Sequence, residues 1–292
     1  MKRIALLFVV LCIPAVACAG QKFVDLNGPV DATHFRSIQA AINAATSNVD
    51  TIVVLPGFYN LGSTQVNFNK SVVLMGSGYE TTIIASNSDP TVVVSAGATG
   101  KMLWFDITSN AGRGITLNSG TVSNCVIRGC ARDGIYIPST STGIVANCIV
   151  LDNGGDGITG DPGATSASVY NTISYFNAGS GFTLTNSYGQ NPYALNYSNG
   201  SIGAVYGITG TGNISSDPLF KAMNVHPMDL HLAVGSPCFD KGKPDLYDPD
   251  FSRSDMGYFG GLDCPVFPIV RTMTMTVNGS NVQIQLVGSA NY

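Results

Sequence analysis

The fold is decided by one twelve-residue block that occurs four times, as WFDITSNAGRGI (104–115), NCVIRGCARDGI (124–135), NCIVLDNGGDGI (147–158) and NTISYFNAGSGF (171–182). Successive copies are offset by 20, 23 and 24 residues, and a period of this length is typical of stacked repeat architectures. The blocks are rich in glycine, and their short apolar pieces lack helical periodicity, which predicts strands separated by turns. The sequence therefore predicts an all-β solenoid in which one block forms most of one coil.

Equivalent residues of stacked coils lie about 4.8 Å apart, so each column of the aligned blocks predicts a ladder along the solenoid. A glycine column is interpreted as a turn that needs permissive φ angles, and the apolar column after it as inward-facing. A third column is mostly asparagine and is interpreted as a structural hydrogen-bonded ladder. The three columns are Gly114, Gly134, Gly157 and Gly181; Ile115, Ile135, Ile158 and Phe182; and Asn110, Cys130, Asn153 and Asn177.

Composition limits both the fold and the partners. Only 11% of the residues are charged and 34 of 292 are glycine, which suits short strands and tight turns within one extended domain. The formal net charge of −4 offers no basic surface for nucleic acid or for anionic membranes. After residue 19, no apolar run approaches the roughly 20 residues of a membrane span, so we expect no transmembrane segment.

The first 19 residues predict a secretory signal peptide. Lys2 and Arg3 precede an apolar stretch, and small residues before Gly20 permit cleavage after Ala19. The same region resembles a weak bacterial lipobox, so a lipid anchor at Cys18 is the alternative. Either reading predicts a secreted location, whether periplasmic, extracellular or on the cell surface.

Removal of this segment leaves five cysteines, an odd number in an oxidising compartment. Cys125 and Cys148 share a column, which predicts either an apolar stack or a disulfide between neighbouring coils. Cys238 and Cys264 form a second possible pair. None has the CxxC spacing of a zinc or redox site. The five are Cys125, Cys130, Cys148, Cys238 and Cys264.

The ends of the mature chain carry a family resemblance. SIQAAINAA (37–45), part of an amphipathic cap helix predicted over 35–45, and DTIVVLPGFYN (50–60) resemble the first coil of right-handed parallel β-helix proteins of the pectin-lyase-like superfamily. The stretch from Gly212 to Gly261, here called the closing segment, is similar to the end of secreted bacterial β-helix proteins. The resemblance implies a right-handed parallel β-helix domain over 20–262.

The same superfamily holds lyases, hydrolases, epimerases, adhesins and proteins of no known activity, so the fold alone does not define a function. The sequence motifs of polygalacturonases and of the best-known pectate lyases are absent. No catalytic residue is therefore carried over from the family.

Residues 263–292 follow a different pattern. Alternating apolar residues on both sides of Asn278 and Gly279 predict a β-hairpin. A lone hairpin is marginal in water, so it either packs on the solenoid or begins an immunoglobulin-like or sorting module that is truncated at Tyr292.

The candidate chemistry lies in the column two residues before the apolar anchors. It places carboxylates on adjacent coils, near the separation that retaining glycosidases use, and they could also share a Ca²⁺ ion, the one cofactor considered. The catalytic candidates are Asp133, Asp156, Arg113 and Arg128; the ligand-binding candidates are Arg132, Tyr175 and Ser180; the candidate Ca²⁺ ligands are Asp133 and Asp156. The alternative is ordinary turn chemistry, because aspartate before glycine is common in turns.

A second acidic group lies in DPDFSRSDMG (248–257). It lacks the spacing of an EF-hand, and we interpret Asp248, Asp250 and Asp255 as structural. His231, in the strand-like DLHL, is likewise interpreted as packed or hydrogen-bonded structure.

Two functions from different classes follow. The first is a secreted, non-catalytic module that binds a polysaccharide or another cell-surface glycan. The second is a polysaccharide lyase or glycoside hydrolase that acts on an acidic, uronate-containing polymer. Catalysis predicts that Asp133 and Asp156 line a groove with Arg113 or Arg128, whereas a structural role predicts carboxylates that are solvated or bonded to backbone. The sequence does not indicate an oligomeric state.

Overall fold

The computed structural model describes residues 20–161, 166–184, 194–196, 212–225, 227–265, 268–278 and 281–290. The chain forms a right-handed parallel β-solenoid of about six turns, with one short helix near the start and an antiparallel hairpin near the end. This confirms the predicted fold class. The predicted signal peptide and Cys18 lie outside the described residues.

Three parallel sheets run along the solenoid, and each coil contributes one strand to each sheet. Sheet A contains β1 Gln21–Val24, β2 His34–Phe35, β3 Thr51–Val54, β6 Val73–Met75, β9 Lys101–Leu103, β12 Thr121–Ser123, β15 Ile144–Ala146 and β18 Ser168–Tyr170. Sheet B contains β4 Gly57–Asn60, β7 Thr82–Ser86, β10 Asp106–Ser109, β13 Val126–Arg128, β16 Ile149–Leu151, β19 Thr172–Tyr175 and β21 Ala194–Asn196. Sheet C contains β5 Val66–Phe68, β8 Val92–Val94, β11 Ile115–Leu117, β14 Ile135–Ile137, β17 Ile158–Gly160 and β20 Phe182–Leu184.

Two antiparallel pairs lie outside the solenoid sheets. The first pairs β22 Phe220–Ala222 with β23 Asp229–Leu232, and the second pairs β24 Pro268–Asn278 with β25 Asn281–Ala290. The second pair is the hairpin predicted from the alternating apolar residues.

Helix α1, Ile38–Ala44, is the predicted cap, and it is shorter than the predicted 35–45. It begins after Ser37, whose side-chain hydroxyl accepts a hydrogen bond from the backbone N–H of Ala40, a common N-cap arrangement. The side-chain amide of Gln39 donates to the carbonyl oxygen of Asn67 (3.3 Å) and accepts its N–H (2.7 Å). The helix therefore satisfies backbone groups at the edge of sheet C, which protects that edge from further strand pairing.

The repeated blocks pair in the register that their alignment predicts. Ile115 pairs with Ile135, Ile135 with Ile158, and Ile158 with Phe182, and all four side chains are fully buried. The apolar column is therefore an inward-facing ladder, as predicted.

The glycine column has a different physical basis from the predicted one. None of its glycines has a positive φ angle. A Cβ atom at Gly114 would lie 2.7 Å from the carbonyl oxygen of Gly134, and one at Gly157 would lie 2.6 Å from that of Gly181. The prediction of a permissive φ is therefore wrong, because what requires glycine is the close approach of the next coil.

The predicted asparagine ladder is present and buried at two levels. Asn153 accepts the backbone N–H of Cys130 (3.0 Å), and Asn177 accepts both the N–H (3.1 Å) and the side-chain amide (2.8 Å) of Asn153. Asn110 instead bonds to Asn87 at an exposed level. The ladder satisfies turn backbone that would otherwise be buried without a partner.

The closing segment covers part of the outer face of sheet B, where the second to fourth blocks are apolar. The covered residues form one buried cluster with apolar residues of the closing segment. Its members are Val126, Ile149, Leu151, Ile173, Tyr175, Met228, Leu230, Leu232, Cys238, Met256 and Tyr258.

A second asparagine column holds the closing segment in place. Asn124, Asn147 and Asn171 have φ angles of 47°, 49° and 50°, a left-handed conformation that asparagine tolerates better than most residues. The side-chain amide of Asn124 donates to the carbonyl oxygens of Tyr258 (2.7 Å) and Gly260 (2.8 Å). These bonds attach the segment to the turn that precedes sheet B.

The five cysteines of the mature chain are all free and buried. Cys125 and Cys148 precede residues that pair between coils, so they form the apolar stack rather than a disulfide. Burial raises the pKa of Cys148 to about 12. Cys238 and Cys264 do not form the second possible pair.

Candidate functional site

A groove of about 480 Å³ lies on the outer face of sheet B, beside the closing segment. We call it the sheet-B groove. Phe58 lies in β4 and Phe176 directly follows β19, and their side chains are 56% and 38% exposed. Five strand spacings of about 4.8 Å separate these two coils, so the groove extends roughly 24 Å along the solenoid. Its other lining residues are Ile83, Asp106, Thr108, Arg128, Gly129, Leu151, Asp152, Met223, Asn224 and Met228.

The floor of the groove contains a buried ion pair. Nε of Arg128 lies 3.1 and 3.0 Å from the two carboxylate oxygens of Asp106, and its Nη2 lies 2.7 Å from Oδ2. Asp106 is only 1% exposed. Glu80 is a more distant partner, with Oε1 at 3.8 Å from Nη2 of Arg128. A planar guanidinium held by two oxygens is fixed in orientation before any ligand arrives.

Burial and pairing act in opposite directions on the two charged groups. Burial raises the pKa of Asp106, and the contact with Arg128 offsets only part of this effect. Burial also disfavours the charge of Arg128, but the hydrogen bonds and the charge of Asp106 outweigh it and raise the pKa of Arg128. Each group therefore depends on the other to remain charged.

The predicted carboxylate column lies elsewhere, at the turn that leads from sheet B to sheet C. Oδ1 of Asp133 accepts the backbone N–H of Asp156 (3.0 Å), and Oδ1 of Asp156 accepts that of Ser180 (2.7 Å). Oδ1 of Asp89 does the same for Arg113 (3.0 Å). We call this array the aspartate ladder. Its backbone bonds are those that the structural interpretation predicts.

Arg113 and Arg132 surround the start of the aspartate ladder. Nε of Arg113 lies 3.4 Å from Asp133, its Nη1 lies 3.5 Å from Asp89, and its guanidinium lies 4.6 Å from the ring centre of Tyr136. Nη1 of Arg132 lies 2.8 Å from Asp89. The structure therefore brings four of the predicted site residues into one array with Ser180, and separates Arg128 and Tyr175 from it.

Tyr175 is buried beneath the closing segment. Its ring meets those of Phe176 (4.6 Å) and Phe220 (5.8 Å) edge to face, and its hydroxyl donates to Asp217 (3.2 Å). The ring faces that a sugar would need are therefore covered by protein.

The other two structural interpretations match the contacts. Asp248 accepts the backbone N–H groups of Asp255 (2.9 Å) and Gly261 (2.5 Å) within the closing segment. His231 stacks on Phe259 at 3.7 Å and contacts Asp229 through Nδ1. Within the part of the chain that the structure describes, no group of three or more histidine, cysteine or acidic residues has a geometry suited to a metal ion.

Sequence reasoning missed Asp106 and the two exposed phenylalanines, although the blocks contained part of the signal. Asp106 occupies the third block position, where the other copies have Val126, Ile149 and Ile173. Arg128 lies on the next coil, two columns further along, and therefore on the same face of the sheet. A charged residue on each of two adjacent coils indicated a pair.

A family model described as a right handed beta helix region matches residues 71–215. Among solved structures, a chain described as ORF18 of Geobacillus virus E2 aligns with a TM-score of 0.41 and 20% identity over 55% of this chain. Pectate lyase Pel9A aligns with a TM-score of 0.36 and 13% identity over 82% of this chain and 96% of its own. This chain spans only 38% of the viral chain. No curated protein matches the sequence.

The family match covers the repeated coils, and the fold shows their handedness and stacking. The chain is a right-handed parallel β-helix protein with the pectin-lyase-like fold. Over the described residues, no helix is long and apolar enough to cross a membrane.

Proposed function

We propose that this chain is a secreted β-helix protein that binds a glycan in the sheet-B groove. The observation that carries the proposal is the pair of exposed rings, Phe58 and Phe176, on either side of a polar floor. Aromatic rings can stack on the apolar faces of sugars, while polar groups between them bond to hydroxyls. A volume of about 480 Å³ is within the usual range for ligand sites.

The polar floor supports recognition of hydroxyl groups. Arg128 supplies N–H donors in a fixed orientation, and Thr108, Asp152 and Asn224 add donors and acceptors along the groove. Because Arg128 is already held by Asp106, little side-chain entropy is lost when a sugar binds. The length of the groove suits an extended oligosaccharide better than a single sugar.

Secretion belongs to the same proposal and rests on the sequence of residues 1–19. A basic start, an apolar stretch and small residues before Gly20 support export. Release of mature protein beginning at Gly20 into the medium or periplasm would be the expected result of expression with the native leader. Retention of a lipid on Cys18 would replace soluble export by anchoring.

The test is binding of the mature chain to neutral, acidic and amino-containing polysaccharides in affinity gels, followed by calorimetry on the oligosaccharide that is retained. Phe58→Ala and Phe176→Ala should each weaken binding about tenfold, which corresponds to roughly 1.4 kcal/mol. Phe251→Ala is the matched control, because Phe251 is 85% exposed in the closing segment and lies outside the groove lining. Equal losses in all three variants, or no retention of any glycan, would overturn the proposal.

The second candidate function is cleavage of an acidic polysaccharide at the aspartate ladder. It is supported by the contact between Arg113 and Asp133 and by the position of Asp156 on the next coil. Reducing ends and the absorbance of unsaturated uronides should then increase with uronate polymers, and Asp133→Asn should abolish the signal. Arg132→Gln serves as the comparison, because Arg132 contacts Asp89 rather than either carboxylate.

A further inference from the structure

A second cavity, of about 370 Å³, lies between the turn at 77–81 and the closing segment. It adjoins the sheet-B groove, because Met228 lines both. Glu80 lines the second cavity and lies 3.8 Å from Arg128 in the groove floor. We call it the aromatic cavity, because its walls include Tyr79, His231, Tyr258 and Phe259.

The walls of the aromatic cavity present ring surface rather than free hydroxyl groups. Tyr79 meets Tyr258 (5.1 Å) and Phe259 (6.0 Å) edge to face. The hydroxyl of Tyr79 donates to the carbonyl oxygen of Met228 (3.1 Å), and the hydroxyl of Tyr258 accepts the backbone N–H of Tyr79 (3.2 Å). A ligand therefore meets aromatic rings whose polar atoms already have partners.

The charge at the cavity is negative. Oε2 of Glu80 accepts the backbone N–H of Met228 (3.0 Å). Its other oxygen is far from Arg128 compared with Asp106, which takes the same Nη2 at 2.7 Å. Glu80 is therefore only partly neutralised by the nearest cation.

A second carboxylate lies behind the opposite wall. Asp229 contacts Nδ1 of His231 at 2.5 Å, so the imidazole faces a carboxylate of its own. Burial raises the pKa of Tyr79 to about 12, and the carboxylates of Asp229, Glu80 and Asp106 contribute in the same direction. Electron-rich ring faces and carboxylates together favour a cation.

We propose that the aromatic cavity binds an organic ammonium group. Resting on the proposed glycan-binding function, the inference extends to the substrate class: the adjoining groove and cavity take a glycan that carries amino groups rather than one that carries uronates. A desolvated ammonium gains from ring faces on one side and from the Glu80 carboxylate on the other. A uronate would instead meet Glu80, Asp106 and Asp152, with Arg128 already paired.

The first arm tests the cavity alone, with choline and its neutral isostere 3,3-dimethylbutan-1-ol as probes, by calorimetry and tyrosine fluorescence at neutral pH. Choline should bind measurably more tightly than the isostere. Glu80→Gln and Phe259→Leu should each weaken choline binding about fivefold, while the exposed control Phe251→Leu leaves it unchanged. Equal binding of the two probes would make this a simple apolar pocket, and no binding of either would make it a packing gap; both overturn the inference.

Thermal unfolding of each variant keeps this arm decisive. Gln at position 80 retains an oxygen that can accept the N–H of Met228, and Leu at position 259 retains apolar volume. If Glu80→Gln fails to fold, Phe259→Leu still separates a cation site from an apolar one, because it removes a ring without altering the charge.

The second arm separates this inference from the proposed function. Glucosamine and N-acetylglucosamine oligomers of equal length differ in the ammonium groups, and the glucosamine oligomer should bind more tightly, with Glu80→Gln removing the preference. Equal binding of both oligomers without choline binding would leave the glycan function standing and overturn the ammonium site. Choline binding without binding of either oligomer would overturn the glycan function and the substrate class, while the cation site stands.

Discussion

The sheet-B groove and the aspartate ladder lie on the same coils, and both combine arginine with aspartate, yet their charged groups are used differently. In the ladder, Asp133 and Asp156 accept backbone N–H groups of the next coil. In the groove, Asp106 and Arg128 bond to each other beneath exposed rings. Residue type alone does not define a binding site; what matters is which polar and apolar surfaces remain available after the protein has satisfied its own backbone.

The largest difference between the two regions is expected on removal of an arginine. Arg128→Met leaves Asp106 buried without its partner and should lower the free energy of unfolding by about 3 to 5 kcal/mol. Arg113→Met breaks partly exposed contacts in the ladder and should cost about 1 kcal/mol or less. Denaturant unfolding measures both.

The double variant Asp106→Leu with Arg128→Met sharpens this test. It removes both charges and should recover much of the stability lost in Arg128→Met, because no unpaired carboxylate remains. Similar losses for Arg128→Met and Arg113→Met would contradict the contrast between the two regions.

The next largest effect concerns pH, because carboxylates of the two regions shift in opposite directions. Burial raises the pKa of Asp255 to about 7, with nearby Asp248, Asp240 and Asp250 adding to it. Burial of Asp89 acts in that direction too, but the N–H of Arg113 and the charges of the nearby arginines outweigh it and lower its pKa.

The folded state therefore favours the protonated form of Asp255. Its contribution to stability is most favourable below about pH 4 and is lost as the pH rises to about 7, by at most about 4 kcal/mol. Asp255→Asn can still accept the N–H of Asp240 and should abolish this dependence. The measurement is the difference in unfolding free energy between wild type and variant across the pH range; a constant difference would contradict the prediction.

A smaller effect is expected at the asparagines that attach the closing segment. The side-chain amide of Asn147 donates to the carbonyl oxygen of Asp255 (3.1 Å) and contacts the hydroxyl of Ser254 (3.3 Å). Asn147→Gly preserves the left-handed backbone and should cost about 1 to 3 kcal/mol. Limited proteolysis should then release the closing segment faster.

Asn110→Ala is the matched control for this experiment. Asn110 is exposed and bonds to Asn87 on the other side of the coil, at a distance from the closing segment. Its cost should not exceed about 0.5 kcal/mol. Equal proteolysis of the two variants would show that Asn147 does not hold the segment.

The smallest effect separates the two oxygens of an aspartate in the ladder. Asp133→Asn retains an acceptor for the N–H of Asp156 and should change stability by about 0.5 kcal/mol or less. Asp133→Ala loses the acceptor and should cost about 1 kcal/mol or more. Thermal unfolding of the pair tests whether the ladder stabilises the fold through hydrogen bonds or through charge.

The repeated blocks were sufficient to predict the solenoid, its register and its inward-facing column, because one β coil repeats its local pattern at each level. The glycine column was placed correctly but explained wrongly, since the sequence does not reveal how closely Gly134 approaches Gly114.

The groove was less predictable because it depends on distant contacts. The hydroxyl of Tyr258 meets the N–H of Tyr79, 179 residues earlier in the chain, and no repeat period encodes such a contact. The apolar outer face of sheet B did signal that something covers it, but not that the closing segment leaves Phe58 and Phe176 exposed.

The central claim is that ligand binds in the sheet-B groove and not at the aspartate ladder. Hydrogen–deuterium exchange of the mature chain, with and without the retained oligosaccharide, tests it most directly. The expected result is slower exchange around Phe176 and Asn224, with unchanged exchange from Arg132 to Tyr136. Protection confined to the segment from Arg132 to Tyr136 would contradict the claim and place the ligand on the aspartate ladder.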